Sequence, residues 1–380
     1  MKVLIVTHNY LTGYGGGAFG ARAYINAFSA LYDDVTLLYP VREDDDVPKE
    51  ISSRVRMMGI PDPVSKIHKA ARILFKGVLH RFEKPFTDLL SREKFDIIVF
   101  QNSKCSSRII HQARMTGART VVIHDNYEKE YTRDNTSFWL RPVMLPVTIR
   151  TERKAVEEAD LNLALTPDDA CMLEKAYGAR KKGKIMQWGA FEYKPERMCP
   201  VNRVSEPVFA ITGNLGAMQT VSSLSSWLSE YFPILRLMIP DARLIVAGKN
   251  PSAELKDRLS GLGAECVDTP ADMTGVLTRA RYFVCPIDCG GGIKLRVMDG
   301  LRHGLPVLAH KVSARGYESF QGLSLFSYED HDSFQVALKS LLDCRFDEEQ
   351  YRQIYERSFS FAAGVDRLRK ILEECRFPLQ

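Results

Sequence analysis

Hydrophobic positions in this chain form short, nearly continuous runs, separated by longer stretches with helical spacing. Runs of Val, Ile and Leu with few polar interruptions are typical of parallel strands buried on both faces. We predict strands at residues 2–7, 35–39, 96–100, 120–124 and 161–165, and again at 208–212, 243–247, 282–285 and 306–309. The stretches between them predict helices, most clearly at residues 18–31, 108–115, 222–238 and 294–303.

This alternation of strands and helices predicts an α/β protein with parallel sheets. The segment from Lys194 to Pro207 is mostly polar and holds three prolines, which is typical of a linker. We therefore predict two Rossmann-like domains that face each other across a cleft, at residues 1–195 and 205–358. Residues 359–380 predict a last helix with one apolar face, which could pack back on the N-terminal domain.

Composition narrows the class of protein further. The chain has 380 residues, of which 45% are hydrophobic and 26% charged, as in ordinary globular proteins. A net charge of +5 is too small an excess to indicate a nucleic-acid-binding protein. The N-terminus reads as a strand rather than a signal peptide, and no apolar run reaches the roughly 20 residues of a membrane span. We therefore expect a cytoplasmic protein.

One stretch, from Val64 to Pro85, combines six basic side chains with a single acid, Glu83, and several apolar positions. A basic amphipathic helix is typical of binding to an anionic membrane surface. A helix with a solvated basic face, packed on the first domain, explains the pattern equally well. A peripheral position on the inner face of the membrane is therefore one expectation for this chain.

The strongest chemical signal is a glycine-rich loop that follows a predicted strand and leads into a helix. Ligands of parallel α/β sheets bind at the carboxyl ends of the strands, which is where Gly290, Gly291 and Gly292 lie. Lys294 is predicted in the first helical turn, where the helix dipole disfavours a cation unless an anion is bound. Glycines, free backbone N–H groups and a lysine predict a phosphate site. Asp299, further along the helix, could accept hydrogen bonds from ribose hydroxyls.

Other strand ends add weaker signals. Gly213 and Asn214 follow a strand in the same way, so that two loops could hold one diphosphate. Gly17 lies in a segment that matches the glycine fingerprint of dinucleotide-binding proteins, but this segment begins several residues after the end of the first predicted strand. It favours a flexible turn or a close backbone approach to a phosphate over nicotinamide binding. His124 ends a buried strand, where its imidazole is either structural or could donate to a sugar hydroxyl and stabilise developing charge.

These residues together resemble a known family. The segment from Gly290 to Leu301, followed by Gly304-Leu305-Pro306-Val307, is similar to the donor-site signature of the retaining "group 1" glycosyltransferases, which have the GT-B fold. The residues around Trp188-Gly189-Ala190 and Thr212-Gly213-Asn214 also resemble that family in the right order. The resemblance covers nearly the whole chain, and it is more specific in the second half.

The resemblance implies a donor site for a UDP- or GDP-linked sugar, with no metal and no other cofactor. Its implied members are Asp299 at the ribose; Gly290, Gly291, Gly292, Ile293 and Lys294 around the diphosphate and sugar; Gly213, Asn214, Gly16 and Gly17 at the phosphates; Val267 and Thr269 at the base; and His124 at the donor sugar. His124 and Lys294 are the implied catalytic residues. The acidic run at residues 44–46 is interpreted as a solvated loop rather than a metal site.

The chain also departs from the family pattern. Gly291 stands where the family usually has the first of two acids, and no Arg or Lys follows the Gly213 loop directly. Lys249 and Lys294 are the cations available to replace them. The implied activity is transfer of a sugar to a hydroxyl of a glycan or lipid-linked acceptor, in cell-surface polysaccharide or glycolipid synthesis.

Two other functions fit the same sequence. A nucleotide-sugar epimerase of the same fold would use acid and base groups such as His124, Asp125 and Glu128. A catalytically inactive partner subunit would keep the fold and bind no donor, which the missing acid at Gly291 leaves open.

Overall fold

A computed structural model describes residues 1–13, 15–42, 50–61, 78–104, 107–194, 204–345 and 347–379. The chain divides into two compact units. The first comprises Met1–Glu196, Gly291–Ile293 and Ser360–Gln380, and the second comprises Arg197–Gly290 and Lys294–Phe359.

The first unit is built on a seven-stranded parallel sheet with the order β3-β2-β1-β4-β5-β6-β7. Its strands are β1 Lys2–Thr7, β2 Asp34–Val41, β3 Val55–Pro61, β4 Ile97–Gln101, β5 Arg119–His124, β6 Leu161–Ala164 and β7 Lys184–Gln187. Within the described ranges up to residue 194, its α-helices are α1 Gly16–Leu31, α2 Glu83–Leu90, α3 Ser107–Met115, α4 Glu128–Asn135, α5 Arg141–Glu158 and α6 Pro167–Tyr177. The strand order reverses between β1 and β4, which is the point where such sheets bind ligands.

The second unit repeats the plan with six parallel strands in the order β10-β9-β8-β11-β12-β13. The strands are β8 Val208–Asn214, β9 Arg243–Lys249, β10 Glu265–Asp268, β11 Tyr282–Cys285, β12 Val307–His310 and β13 Leu325–Tyr328. The helices are α7 Met218–Glu230, α8 Phe232–Met238, α9 Ala253–Gly261, α10 Thr274–Leu277, α11 Leu295–Arg302, α12 His331–Leu342 and α13 Glu348–Phe359. Here the order reverses between β8 and β11.

The last helix, α14 Phe361–Glu374, belongs to the first unit and packs on α1. Trp188 is fully buried there, and its indole N–H donates to the carbonyl of Gly364 at 2.9 Å. Arg367 of α14 donates in turn to the carbonyls of Trp188 at 2.7 Å and Ala190 at 3.0 Å. Burial of this guanidinium lowers the pKa of Arg367 to about 10. The end of the chain therefore completes the core of the first unit.

The predicted fold class is confirmed, because both units are Rossmann-like parallel α/β sheets. All nine predicted strands are present within a few residues of their expected bounds. Four strands were missed, namely β3, β7, β10 and β13. The single helix predicted at residues 222–238 is two helices, and the second carries Pro233 in its first turn, where the missing N–H costs nothing. Among the described residues, no helix has the length and apolar character to cross a bilayer.

Candidate active site

Two helices of the second unit begin at its switch point with their backbone N–H groups uncapped by side chains. Helix α7 follows β8, and helix α11 follows the neighbouring strand β11. Neither helix start has a side-chain cap or an acidic residue in its first turn. Each therefore presents free N–H donors and the positive end of its dipole, which together favour an anion.

Arg296 of α11 supplies a cation at this point. A Cβ atom added to Gly213, at the end of β8, would lie only 2.5 Å from its Nη1. Its Nη2 donates to the hydroxyl of Thr220 on α7 at 3.3 Å, whereas the buried Nη1 has no hydrogen-bond partner. An unpartnered buried guanidinium nitrogen is costly, so it favours a ligand that accepts from it. The sequence reasoning missed Arg296, although its place two residues after Lys294 in the glycine-loop motif was a signal.

Lys294 does not lie in the first helical turn, as the sequence predicted, but immediately before α11. Its ammonium donates to the carbonyl of Gly290 at 3.0 Å, and its own carbonyl accepts from the hydroxyl of Tyr317 at 3.1 Å. Gly290 has a φ of +79°, in the left-handed region that a side chain disfavours. The hydrogen bond from Lys294 to Gly290 therefore joins the two ends of the glycine loop.

The three residues between Gly290 and Lys294 belong to the first unit by their contacts. Gly292 has a φ of +73°, and an added Cβ would collide with the side chain of Asn126. Gly291 lies against the same asparagine, and Ile293 packs against the hydrophobic core of the first unit. Gly291, Gly292 and Ile293 are therefore assigned to the first unit, whereas Gly290, Lys294 and Gly213 are assigned to the second.

Asp299 lies on α11, one helical turn beyond Arg296. Burial raises the pKa of its carboxyl group, and the positive charges of Arg302 and Arg296 oppose that rise. The nearest Arg302 nitrogen lies 3.6 Å from a carboxylate oxygen of Asp299. This part-exposed carboxylate stands close to cations and remains able to accept hydrogen bonds from a ligand.

The other predicted residues of the second unit lie at the same edge of the sheet. The side chain of Asn214 accepts from the N–H of Gly216 at 3.2 Å and braces the turn. The carbonyl of Lys249 accepts from the loop N–H of Leu215 at 2.8 Å. Thr269 is exposed, with a φ of +47°. Val267 belongs to β10 and packs against a small apolar cluster.

In the first unit, Gly16 and Gly17 form the start of α1 rather than a loop before it. The helix begins at Gly16, two residues earlier than predicted, with no side-chain cap and no acid in its first turn. A Cβ atom on Gly17 would lie 2.5 Å from the Oδ1 of Asn9. Gly17 therefore lets the loop after β1 approach α1 closely, and α1 is another uncapped helix start at a switch point.

His124 ends β5 and is fully buried. Its Nε2 lies 2.9 Å from the Oδ1 of Asn162, whose Nδ2 donates to the carbonyl of Val156. Because that amide oxygen can only accept, Nε2 carries the proton, and the buried, unpartnered Nδ1 is an acceptor. Burial also lowers the pKa of His124 to about 4. In this tautomer Nε2 donates to Asn162, and Nδ1 is left as a hydrogen-bond acceptor.

A set of buried acids lies beside His124. Burial raises the pKa of Asp125 to about 7, although a hydrogen bond from Gln101 at 3.2 Å opposes the rise. Glu128 is fixed by an ion pair with Lys104 at 2.8 Å. Glu152, which the sequence reasoning missed, accepts from the backbone N–H of Glu128 at 2.7 Å, and burial raises its pKa to about 8. Within the described ranges, no cluster of three or more His, Cys, Asp or Glu side chains could hold a metal ion.

Comparison with solved structures shows the same fold across the whole chain. The chain is similar to a sucrose-phosphate synthase from Thermosynechococcus elongatus, with a TM-score of 0.70 and 13% identity over 98% of this chain and 99% of that one. It is also similar to the Anabaena protein HepE (Alr3699) in complex with UDP, with a TM-score of 0.63 and 12% identity over 98% and 100% of the two chains. The lipopolysaccharide outer core galactosyltransferase WaaB matches with a TM-score of 0.65 and 10% identity over 98% and 99%. A comparison with curated protein sequences gave no match.

Two Rossmann-like units of this topology make up the GT-B fold, which the solved structures share. Residues 206–344 match the family described as glycosyl transferases group 1. The family match lies in the second unit, and the chain as a whole shares the fold of solved glycosyltransferases.

Proposed function

We propose that this enzyme transfers a hexosyl group from a UDP- or GDP-linked donor to a hydroxyl of a glycan or lipid-linked acceptor, with retention of configuration and without a metal. The product would belong to cell-surface polysaccharide or glycolipid synthesis, made at the cytoplasmic side of the membrane. The main support for this proposal is the unpartnered Nη1 of Arg296, which lies beside the uncapped starts of α7 and α11.

The chemistry of that arrangement suits a leaving nucleoside diphosphate. Most of the charge that develops during transfer resides on the diphosphate oxygens, so preorganised donors and cations lower the barrier. Arg296, Lys294 and the helix N–H groups are such donors, and Lys249 lies at the same strand edge. Asp299 would accept from the ribose hydroxyls, and Thr269 with Val267 would flank the base. His124, Gly16 and Gly17 would contribute from the first unit, as the family resemblance implies.

Three further points support the proposal. Retention in this fold needs no second carboxylate as nucleophile, and we assign none. The Anabaena protein was solved in complex with UDP, which favours a uridine donor here. The epimerase alternative weakens because Glu128, one of its candidate acid and base groups, is buried and paired with Lys104.

Thermal stability in the presence of UDP, GDP, ADP or NAD tests the donor site. A ligand at a hundred times its dissociation constant stabilises the folded state by about 2.7 kcal/mol, which a melting curve resolves. We expect one nucleoside diphosphate to stabilise the protein, Asp299→Ala to lose that stabilisation, and the exposed control Asp257→Ala to keep it. Stabilisation by NAD alone would indicate an oxidoreductase, and no shift with any nucleotide would favour the inactive partner subunit.

We also propose that the basic stretch from Val64 to Pro85 contacts an anionic membrane surface. Residues 62–77 lie outside the described part of the chain, so the proposal rests on the sequence pattern. Flotation with vesicles should increase with anionic lipid content. Equal binding to neutral vesicles would contradict this role of the stretch.

A further inference from the structure

One turn of the first unit exposes an unusual concentration of large apolar side chains. Phe138–Leu140 forms a short 3₁₀ helix directly before α5. Phe138 is 71% exposed, Trp139 85%, Leu140 57% and Val143, in the first turn of α5, 54%. We call these four residues the apolar turn. Among the residues that the structure describes, the other exposed large apolar residues stand singly or as neighbouring pairs in the sequence, as on ordinary protein surfaces.

The backbone of the apolar turn is well supported. The carbonyl of Ser137 accepts from the N–H groups of Leu140 at 2.9 Å and Arg141 at 3.3 Å. Arg141 also donates from its Nε to the carbonyl of Thr136 at 3.0 Å. The rings of Phe138 and Trp139 contact edge to face, with centroids 5.7 Å apart. The apolar side chains are therefore held outward by a defined turn.

We propose that the apolar turn inserts into the headgroup and acyl boundary of a lipid bilayer. Consecutive side chains of a 3₁₀ helix point about 120° apart, because it has about three residues per turn. All three side chains of this one are exposed, so apolar surface surrounds the tip instead of forming one flat face. Side chains exposed in all directions can be buried by the fluid acyl chains of a bilayer, which surround an inserted group on every side.

Charge and area favour a bilayer over a protein partner. From Asn135 to Thr151 the only charged residues are Arg141 and Arg150, both basic, which complements lipid phosphates. Trp favours the bilayer interface, and Trp, Phe and Leu are the apolar side chains that interfacial segments bury in it. The apolar turn offers roughly 500 Å² of exposed side-chain surface, which is comparable to the largest apolar patch of a typical monomer and below the roughly 800 Å² per partner of a stable protein interface.

Tryptophan fluorescence gives a direct test, because the chain has three tryptophans and both Trp188 and Trp227 are buried. We expect vesicles of phosphatidylcholine and phosphatidylglycerol with brominated acyl chains to quench the emission of Trp139. Trp139→Phe should float with the vesicles but lose the quenching. Flotation without any quenching in the unsubstituted protein would overturn the proposal.

Flotation of a double variant tests the energetic role. Phe138→Ser combined with Trp139→Ser should weaken vesicle binding about tenfold or more, since two large apolar side chains are removed. Leu237→Ser in the second unit, where Leu237 is 83% exposed, is the matched control and should bind as before. All variants should keep UDP-dependent thermal stabilisation, which separates this proposal from the sugar-transfer activity. Unchanged flotation of the double variant would refute insertion, as would a dimer that the double substitution converts to a monomer.

Discussion

Replacement of Arg296 by Met removes the guanidinium and keeps most of its aliphatic length. In the ligand-free protein, Arg296 makes one hydrogen bond to Thr220 and leaves the buried Nη1 without a partner. An unsatisfied buried donor costs about 1–3 kcal/mol, and an ordinary hydrogen bond contributes about 0.5–1.5 kcal/mol. The two effects oppose each other, so we expect the ligand-free Arg296→Met protein to melt no lower than the unsubstituted enzyme.

Donor binding should respond in the opposite direction. If Nη1 donates to a phosphate oxygen of the bound donor, the variant loses a charge-assisted hydrogen bond of about 1.5–3 kcal/mol. At about 1.4 kcal/mol per factor of ten, the dissociation constant for UDP should rise about 10- to 150-fold. Calorimetric titration with UDP measures this directly, and it needs no knowledge of the acceptor.

A matched arginine tests whether the effect belongs to the site. Arg279 lies in the same unit and pairs at the surface with Glu265. Arg279→Met should leave the affinity for UDP unchanged. If Arg296→Met binds UDP within twofold of the unsubstituted enzyme, the guanidinium does not contact the diphosphate and our reasoning about Nη1 is wrong.

Two further predictions concern stability. Gly364→Ala should destabilise the protein by about 1–3 kcal/mol and lower its melting temperature, because the new methyl group would overlap the ring of Phe191. Gly261→Ala is the control, because the space around Gly261 is open, and it should be neutral or stabilising. Equal effects of the two substitutions would contradict the packing argument. Glu152→Gln should gain stability relative to the unsubstituted protein as the pH rises from about 5 to about 8. The raised pKa of Glu152 makes the folded state of the unsubstituted protein hold a proton that its unfolded state releases, so that protein loses stability over this range and the glutamine variant does not. A difference in melting temperature that stays constant over this pH range would refute the assignment.

The interior of both sheets could be predicted from the sequence, because strands such as β1 and β4 are buried on both faces and read as continuous apolar runs. Strands β3, β7 and β10 could not, since each lies at the edge of its sheet. Their side chains are partly exposed and their sequences mix polar with apolar residues. An edge strand is defined by the neighbour that it pairs with, and that neighbour is distant in sequence.

The candidate site divides in the same way. The glycine turns and Asp299 carry local signals, because a helix that starts with glycines after a strand is a pattern within one segment. Arg296 carries only its place in the glycine-loop motif as a local signal, since its role depends on its approach to Gly213 and Thr220, which lie far away in the chain. The tautomer of His124 likewise depends on Asn162 in the neighbouring strand.

The position of α14 has a consequence for how the protein is made. A ribosome produces the first 196 residues and then the whole second unit before it produces the helix that covers Trp188 and Phe191. The first unit therefore leaves the ribosome first, but it cannot complete its fold until α14 has been made. Its aromatic core stays uncovered while the second unit folds. We expect a nascent chain stalled before residue 360 to be a substrate for chaperones, and a few residues lost from the C-terminal helix to damage the N-terminal half of the enzyme.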